Sequence, residues 1–198
     1  NISFNKYYEV LLRLEDENGQ IISPMAFIPA AERYHIMHNI DRWVIASLFG
    51  MIYAELTNPN PKIINSGEID LVNSPLYIIN LSGASINDDQ FLDFLQDQFS
   101  LYQIPPQNIC FEITETVAIA NLTKASGLIR SLKNMGCCFS LDDFGSGMSS
   151  FAYLRSLPID YLKIDGSFVR NIVENEIDLA MIEAINRIGH VMGIKTIA

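Results

Sequence analysis

Short apolar runs alternate with amphipathic stretches along most of the chain. We predict six strands from the apolar runs, at 7–14, 76–81, 108–114, 137–142, 160–164 and 193–198. Helix-like periodicity covers 41–56, 88–99, 125–135 and 178–192. Strands that read as continuous apolar runs are typical of a parallel sheet covered on both faces. The repeated strand–helix order therefore predicts an α/β protein.

The number of predicted strands falls short of a closed barrel. A (β/α)8 barrel has eight strands and about 250 residues, whereas this chain has 198 residues. We therefore expect that the chain holds part of such a barrel. The stretch 57–75 is rich in Asn and Pro, which predicts a long excursion on the surface.

Composition indicates one globular domain and excludes some partners. Hydrophobic residues make up 49% and charged residues 18% of the chain, and its net charge is −10. DNA and RNA are excluded as partners because no basic stripe could replace their counterions. We find neither a run of about 18 apolar residues nor a signal peptide. We expect a cytoplasmic segment without direct membrane insertion, although a longer parent chain could carry an anchor.

The cysteines do not indicate a metal or redox site. Cys110, Cys137 and Cys138 lack a paired CxxC spacing, so we interpret them as reduced, packed thiols. The histidines show no convincing metal spacing either, since the short step from His35 to His38 lies beside a helix start.

Polar side chains lie on successive predicted strands, mostly where each strand ends. The set comprises Glu9, Asn80, Glu112, Asp142, Asp143, Lys163 and Asp165. The carboxyl ends of barrel strands form the face that bears the active site, so these side chains are expected to converge. Oxygen ligands without His or Cys suit Mg²⁺, Mn²⁺ or Ca²⁺. A carboxylate pair such as Asp142 and Asp143 can hold two ions about 3.5–4 Å apart.

Each of these residues also has an ordinary structural explanation. Asp142 and Asp143 could cap a helix that starts near Ser149. Glu112 and Glu115 in EITET could mark a strand end and a helix start. Lys163 is more informative, because a lysine in an apolar strand needs an anionic partner. The pattern as a whole favours a site over separate structural roles.

Several motifs resemble those of the EAL domain, a phosphodiesterase module for the bacterial messenger cyclic di-GMP. They occur in the family's order over residues 7–198 as YEVLLRL, FIPAAER, INLSGAS, FEITET, LDDFGSGMSSFAYLRSLPIDYLKIDGSFV and GIKTIA. The resemblance implies a TIM-like (β/α)8 barrel of the EAL type over residues 1–198. We expect the opening strand, with its Gln-Pro motif, and the last strand with the segment after it to lie outside this chain.

The resemblance also implies roles for individual residues. Glu9, Asn80, Glu112 and Asp142 are similar to the ligands of one metal ion, and Asp142 with Asp143 to those of a second. Lys163 is similar to the family's lysine near the catalytic water. Arg13 is similar to the arginine that meets a substrate phosphate, and Glu115 to the glutamate that braces the loop FGSGMSS. Its glycines, Gly145 and Gly147, would allow the loop to turn.

The implied activity is that of a cyclic-guanylate-specific phosphodiesterase. Two Mg²⁺ or Mn²⁺ ions would activate a water molecule that opens cyclic di-GMP to linear pGpG. A homodimer is expected, with sensor or GGDEF domains as neighbours in the parent chain. The alternative is a catalytically weak or inactive EAL-type receptor that binds cyclic di-GMP without cutting it. An unrelated metal-dependent barrel enzyme would lack affinity for the dinucleotide.

Three features depart from the family pattern. The naming signature reads Glu-Val-Leu here, so that the carboxylate of Glu9 is kept and Val10 replaces alanine. Ser146 and Met148 stand where threonine and tyrosine are more frequent. The family has a further metal-binding glutamate after the motif TIA, which here ends at Ala198. As the chain stands, we therefore expect weakened catalysis.

Overall fold

The computed structural model describes residues 6–57, 75–146, 151–170 and 172–198. They form two compact units, Asn1–Ile109 and Cys110–Ala198. In both units parallel strands alternate with helices. The α/β character predicted from the hydrophobic pattern is therefore confirmed. Most of the predicted surface excursion at 57–75, namely 58–74, lies outside the described residues.

The first unit contains a parallel strand pair and a small hairpin. Strand β1 (Tyr7–Val10) pairs with β4 (Leu76–Asn80), and Glu9 lies opposite Ile78. Strands β2 (Leu14–Glu15) and β3 (Ile21–Ile22) form the antiparallel hairpin. The prediction of one strand over 7–14 is therefore correct for residues 7–10 and wrong for residues 11–14. The chain leaves the sheet after Val10 and turns back at Asp16, whose Oδ1 accepts the backbone N–H of Gln20 at 2.8 Å.

Four helices and a 3-10 turn complete the description of the first unit. They are α1 (Pro24–Arg33), α2 (Met37–Leu56), α3 (Gly83–Asn87), α4 (Phe91–Tyr102) and the turn at Pro106–Asn108. Helix α2 starts four residues before the predicted 41–56, and α4 is shifted by three from 88–99.

One side of α2 carries the core of this unit. Buried residues recur along it at Asp41, Ile45, Leu48 and Ile52, which is the spacing of a single helix face. Trp43 projects from another face and is 62% exposed.

Over its described residues, the second unit contains four parallel strands in the order β5-β6-β7-β8. The strands are β5 (Ile109–Thr114), β6 (Cys138–Phe144), β7 (Tyr161–Ile164) and β8 (Lys195–Ile197). In the part of this unit that the structure describes, the helices are α5 (Glu115–Ala120), α6 (Leu122–Met135), α7 (Phe151–Leu154), α8 (Gly166–Arg170) and α9 (Glu176–Val191). The apolar runs thus located these strands to within three residues.

Local sequence explains where the longer helices begin and end. Asn121 Oδ1 accepts the Lys124 N–H at 3.2 Å and caps the start of α6. Helix α6 ends at Gly136, whose φ of 102° is readily accessible only to glycine. Asn175 caps α9 in the same manner through the Ile177 N–H at 3.0 Å.

The cysteines pack near the amino ends of β5 and β6. Cys110 lies directly opposite Cys138, and Cys110 and Cys137 are buried. Burial raises the pKa of Cys137 to about 12 and that of Cys138 to about 11. The three thiols are free in the structure, as the prediction of packed cysteines required. None of the helices in the described ranges is both long and apolar enough to cross a membrane.

Candidate active site

The carboxyl end of β6 is irregular where Asp142 and Asp143 lie. The register between β6 and β7 shifts between Leu141 and Phe144. Asp143 has a φ of 55°, a left-handed conformation that Asp tolerates better than most residues. Its backbone N–H donates to Asp142 Oδ1 at 2.9 Å. Such bulges redirect side chains, so the two adjacent carboxylates are presented at a bend and not along a regular strand.

Lys163 joins two carboxylates across three neighbouring strands. Its Nζ donates to Glu112 Oε1 on β5 at 2.8 Å and to Asp142 Oδ2 on β6 at 3.1 Å. The side chain of Glu112 is fully buried, whereas those of Asp142 and Lys163 are about one-fifth exposed. These carboxylates are the anionic partners that the sequence requires for Lys163. The cluster carries more negative than positive charge.

Glu112 is buried with one oxygen unused. Within the described part of the chain its Oε2 has no hydrogen-bond partner. Ser140 lies opposite Glu112 on β6, but its Oγ is also without a hydrogen bond there. An unpartnered acceptor at a buried position costs about 1–3 kcal/mol or more when charged. Glu112 therefore has the free lone pairs that a cation or a proton donor would use.

Burial and charge interactions shift the pKa values of Glu112, Lys163 and Asp143. Burial raises the pKa of Glu112 and the charge of Asp142 adds to the rise, although Lys163 and the nearby Ser140 hydroxyl oppose both. Burial alone would lower the pKa of Lys163, but its bonds to Glu112 and Asp142 outweigh that and raise the pKa. Partial burial raises the pKa of Asp143, helped by Asp142 and Asp165. Lys163 stays protonated, and the carboxylates repel one another.

Glu115 holds the backbone that follows Asp143. Its side chain is buried, and its Oε2 accepts the Gly145 N–H at 3.0 Å. Its Oε1 accepts a hydrogen bond from the Tyr153 hydroxyl. Gly145 has a φ of 96°, and a Cβ there would lie 2.9 Å from the Phe168 ring. Glu115 thus contacts the backbone two residues after Asp143.

The remainder of the predicted loop lies outside the described residues. Gly147 and Met148 fall in the range 147–150, as does Ser149, where a helix capped by the two aspartates was the alternative. Tyr153, which binds Glu115, was missed by the sequence analysis. A hydroxyl in the otherwise apolar segment FAYL was the available indication.

Glu9 and Asn80 come together in the first unit. They lie on the paired strands β1 and β4, and Asn80 Nδ2 donates to Glu9 Oε1 at 3.3 Å. Both residues are exposed. Arg13 follows β1, is also exposed, and donates from Nη1 to the Leu12 carbonyl at 2.8 Å. These three residues therefore present a carboxylate, an amide and a guanidinium to solvent.

The donor chemistry of these residues fits a hard divalent cation. Glu112, Asp142 and Asp143 offer carboxylate oxygens in the second unit, and Glu9 and Asn80 offer a carboxylate and an amide oxygen in the first. The unpartnered Glu112 Oε2 is the observation that supports this fit. Among the described residues, however, no three acidic, histidine or cysteine side chains are already grouped as a metal cluster. Lys163 lies between Glu112 and Asp142, where it partly neutralises them.

Comparison with known proteins identifies the family. Residues 5–198 match the family model described as EAL domain. Cyclic di-GMP phosphodiesterase PdeB of Shewanella oneidensis is 41% identical over 190 residues, which are 96% of this chain and 21% of PdeB. Cyclic di-GMP phosphodiesterase PdeF of Escherichia coli is 35% identical over 179 residues, or 90% of this chain and 22% of PdeF. The chain spans about a fifth of the length of these relatives.

A solved structure supports the same assignment. The crystal structure of the FimX EAL domain from Pseudomonas aeruginosa bound to c-di-GMP matches with a TM-score of 0.82 and 26% identity. The match covers 96% of this chain and 71% of that chain. It confirms the predicted fold class, a TIM-like (β/α)8 barrel of the EAL type.

Proposed function

Because the chain belongs to the EAL domain family, we propose that it hydrolyses cyclic di-GMP to linear pGpG in bacterial second-messenger signalling. Relatives at 41% and 35% identity are named cyclic di-GMP phosphodiesterases. The observation that carries the proposal is the buried Glu112, which keeps one oxygen unpartnered beside Asp142 and Lys163.

The arrangement around Lys163 suits phosphodiester hydrolysis. Negative charge develops on the phosphoryl oxygens as the bond to the leaving oxygen breaks, and a preorganised cation stabilises that charge. The Lys163 ammonium is held by two carboxylates, so it is oriented before substrate arrives. Its raised pKa keeps it charged at neutral pH.

We propose Mg²⁺ or Mn²⁺ as the cofactor, with two ions per site. Glu9, Asn80, Glu112 and Asp142 would hold one ion, and Asp142 with Asp143 would hold the other. When bound, such ions lower the pKa of water and offset charge on the phosphate. They would also allow a chain with net charge −10 to accept an anionic dinucleotide.

Two further residues are given supporting roles. Arg13 would bind a substrate phosphate, because a guanidinium can donate two parallel hydrogen bonds to phosphate oxygens. Glu115 would hold the backbone after Asp143 through the Gly145 N–H. Loss of that hydrogen bond would let the backbone at Asp143 and Gly145 move, and the Asp143 side chain would change its orientation. Glu115 is therefore proposed to act by orienting the site and not by touching the substrate.

A receptor that binds cyclic di-GMP without cutting it is the second candidate function. The enzyme is favoured by the retention of Asp143 and Lys163, since a pure receptor needs neither the second acidic ligand nor a lysine shared by two carboxylates.

A turnover assay with Mg²⁺ or Mn²⁺ tests the proposal. We expect linear pGpG to form from cyclic di-GMP, and EDTA to stop its formation. Asp143→Asn should abolish turnover while the protein stays folded, because it removes charge and hardly changes volume. Tight binding of cyclic di-GMP without any product would support the receptor instead. Lack of binding and of product would exclude both functions.

A further inference from the structure

Asp41 is a buried carboxylate that the proposed chemistry does not use. It lies on α2 and is 5% exposed. Its Oδ2 accepts the backbone N–H of Ser82 at 2.9 Å, the Ser82 hydroxyl at 2.7 Å and the Ser85 hydroxyl at 2.7 Å. One oxygen of a helix residue thus receives three donors from a distant part of the chain.

These donors belong to the turn that follows Asn80. Strand β4 ends at Asn80, and Ser82 is the residue before α3. Ser82 has the extended conformation of a helix N-cap, with φ −76° and ψ 161°, but its side chain does not cap α3. Its hydroxyl donates to Asp41 instead. The turn is therefore fixed from outside by α2 as well as by its own helix.

The burial of this carboxylate requires a reason. Desolvation raises the Asp41 pKa, although Ser82, Ser85 and the charge of His38 oppose the rise. Well-packed apolar residues often replace buried polar groups without loss of stability, so stability alone does not require an acid here. A carboxylate gives what an apolar side chain cannot, namely a fixed acceptor for the Ser82 N–H and hydroxyl.

We propose that Asp41 is a positioning residue for Asn80. By fixing Ser82, it sets where β4 ends and keeps the Asn80 side chain against Glu9, to which Asn80 donates at 3.3 Å. This inference rests on the proposed function, in which Asn80 and Glu9 serve the same metal ion. Asp41 reaches neither of them directly in the described contacts and acts through the turn.

A simpler role for Asp41 would be to attach α2 to α3. The adjacent residue provides the control, because Arg42 Nη2 forms an ion pair with Asp88 Oδ2 at 2.7 Å just after α3. This pair also joins α2 to the segment around α3, but it lies away from the turn at Ser82. Arg42→Met therefore removes a tether of similar length without releasing Asn80.

The first test is a double-mutant cycle with Mn²⁺ as the probe. We expect Asp41→Ala to weaken Mn²⁺ binding about 10–100-fold, the range found when partners of ligating residues are removed. In an Asn80→Ala background, Asp41→Ala should change Mn²⁺ affinity less than about twofold, because residues that act as one unit are non-additive. An equal loss in both backgrounds, or no loss in either, would overturn the proposal.

Two variants keep the test interpretable if Asp41→Ala folds poorly. Asp41→Asn keeps the shape and one acceptor oxygen, but a neutral amide oxygen is a weaker acceptor than a carboxylate, so we expect its Mn²⁺ affinity to lie between those of Asp41→Ala and wild type. Arg42→Met should lower the unfolding midpoint and leave Mn²⁺ affinity within about twofold of wild type. If Arg42→Met weakens Mn²⁺ binding as much as Asp41→Asn or Asp41→Ala does, the role is structural and the proposal fails.

A readout without metal separates this proposal from the proposed function. The Asn80 side-chain amide gives its own NMR signals, which we expect to shift in Asp41→Ala and Asp41→Asn more than in Arg42→Met. Unchanged Asn80 signals in both Asp41 variants would overturn the positioning role. If wild type shows no turnover, the proposed activity fails, while these signals still decide the role of Asp41.

Discussion

Two pairings of lysine with acid lie at opposite ends of β6 and β7 and use their acceptors differently. Before β7, Asp160 Oδ1 accepts from Lys133 Nζ at 2.5 Å and Oδ2 accepts the Phe139 N–H at 2.9 Å. Near the carboxyl ends of the strands, Lys163 donates to both Glu112 and Asp142, and Glu112 Oε2 has no hydrogen-bond partner in the described residues. Both carboxylate oxygens of Asp160 at the amino end accept a hydrogen bond, whereas one oxygen of Glu112 at the carboxyl end accepts none from the described residues.

The difference separates a structural from a functional use of the same residue types. At the amino end one positive charge meets one negative charge, and the carboxylate also holds the start of β6. At the carboxyl end one positive charge faces two carboxylates, with Asp143 adjacent. Excess buried negative charge destabilises a fold unless something else binds there. The amino-end pairing therefore stabilises the sheet, whereas we propose that the carboxyl-end cluster binds a cation.

The largest effect is expected from Glu112→Gln, which removes the charge of the buried carboxylate and keeps its size. We expect turnover of cyclic di-GMP to fall about 10³-fold, the scale seen when one preorganised electrostatic group is lost. The protein should remain folded, because glutamine can still bond to Lys163. Steady-state kinetics with Mg²⁺ or Mn²⁺, together with circular dichroism, measure both quantities.

Asp160→Asn is the matched control for this experiment. It makes the same chemical change at the other end of the strands, so turnover per folded molecule should stay within about twofold of wild type. Equal loss of turnover in both variants would show that the two ends do not differ in function. The comparison above would then be wrong.

A smaller effect, on stability, is expected from Asp160→Ala. The change removes the acceptor of the Phe139 N–H and the partner of Lys133. An unsatisfied backbone donor costs about 1–3 kcal/mol, and an ion pair whose side chains are 31% and 32% exposed contributes up to about 1 kcal/mol. We expect the free energy of unfolding to fall by about 2–3 kcal/mol in denaturant titrations.

Lys133→Met divides this loss between its two causes. It removes the ion pair only, so its cost should stay below about 1 kcal/mol. If Lys133→Met lowers the free energy of unfolding as much as Asp160→Ala does, the ion pair and not the hydrogen bond from the Phe139 N–H stabilises the amino end of the strands.

Hydrophobic pattern predicted the buried strands well and the exposed or short elements poorly. Strand β5 is a largely apolar run in which every residue but the last is buried, so its position could be predicted from the hydrophobic pattern. The hairpin β2–β3 has two residues in each strand and depends on the turn at Asp16, which no periodicity shows. Likewise α5, α7 and α8 have six residues or fewer, too short for a helical pattern to be visible.

The candidate site was predictable because its residues break the apolar pattern. Lys163 and Glu112 are charged positions in otherwise buried strands, and the structure places them in contact. Asp41 and Tyr153 were not predicted, since their partners at Ser82 and Glu115 are 41 and 38 positions away in sequence. A single polar residue on an amphipathic helix looks solvent-exposed until the fold shows which face it occupies.

The smallest effect we expect is a change of stability with pH, measured on protein freed of metal by EDTA. Burial raises the pKa of Glu112 above its ordinary value of 4.5, so folding favours the neutral carboxyl group. Its contribution to stability must then fall as pH rises from 4.5 through the raised pKa. Glutamine lacks this dependence, and the unfolding free energy of Glu112→Gln relative to wild type should increase between pH 4 and neutrality. If that difference decreases instead, Lys163 stabilises the carboxylate more than burial opposes it, and the carboxyl end would be as well satisfied as the amino end.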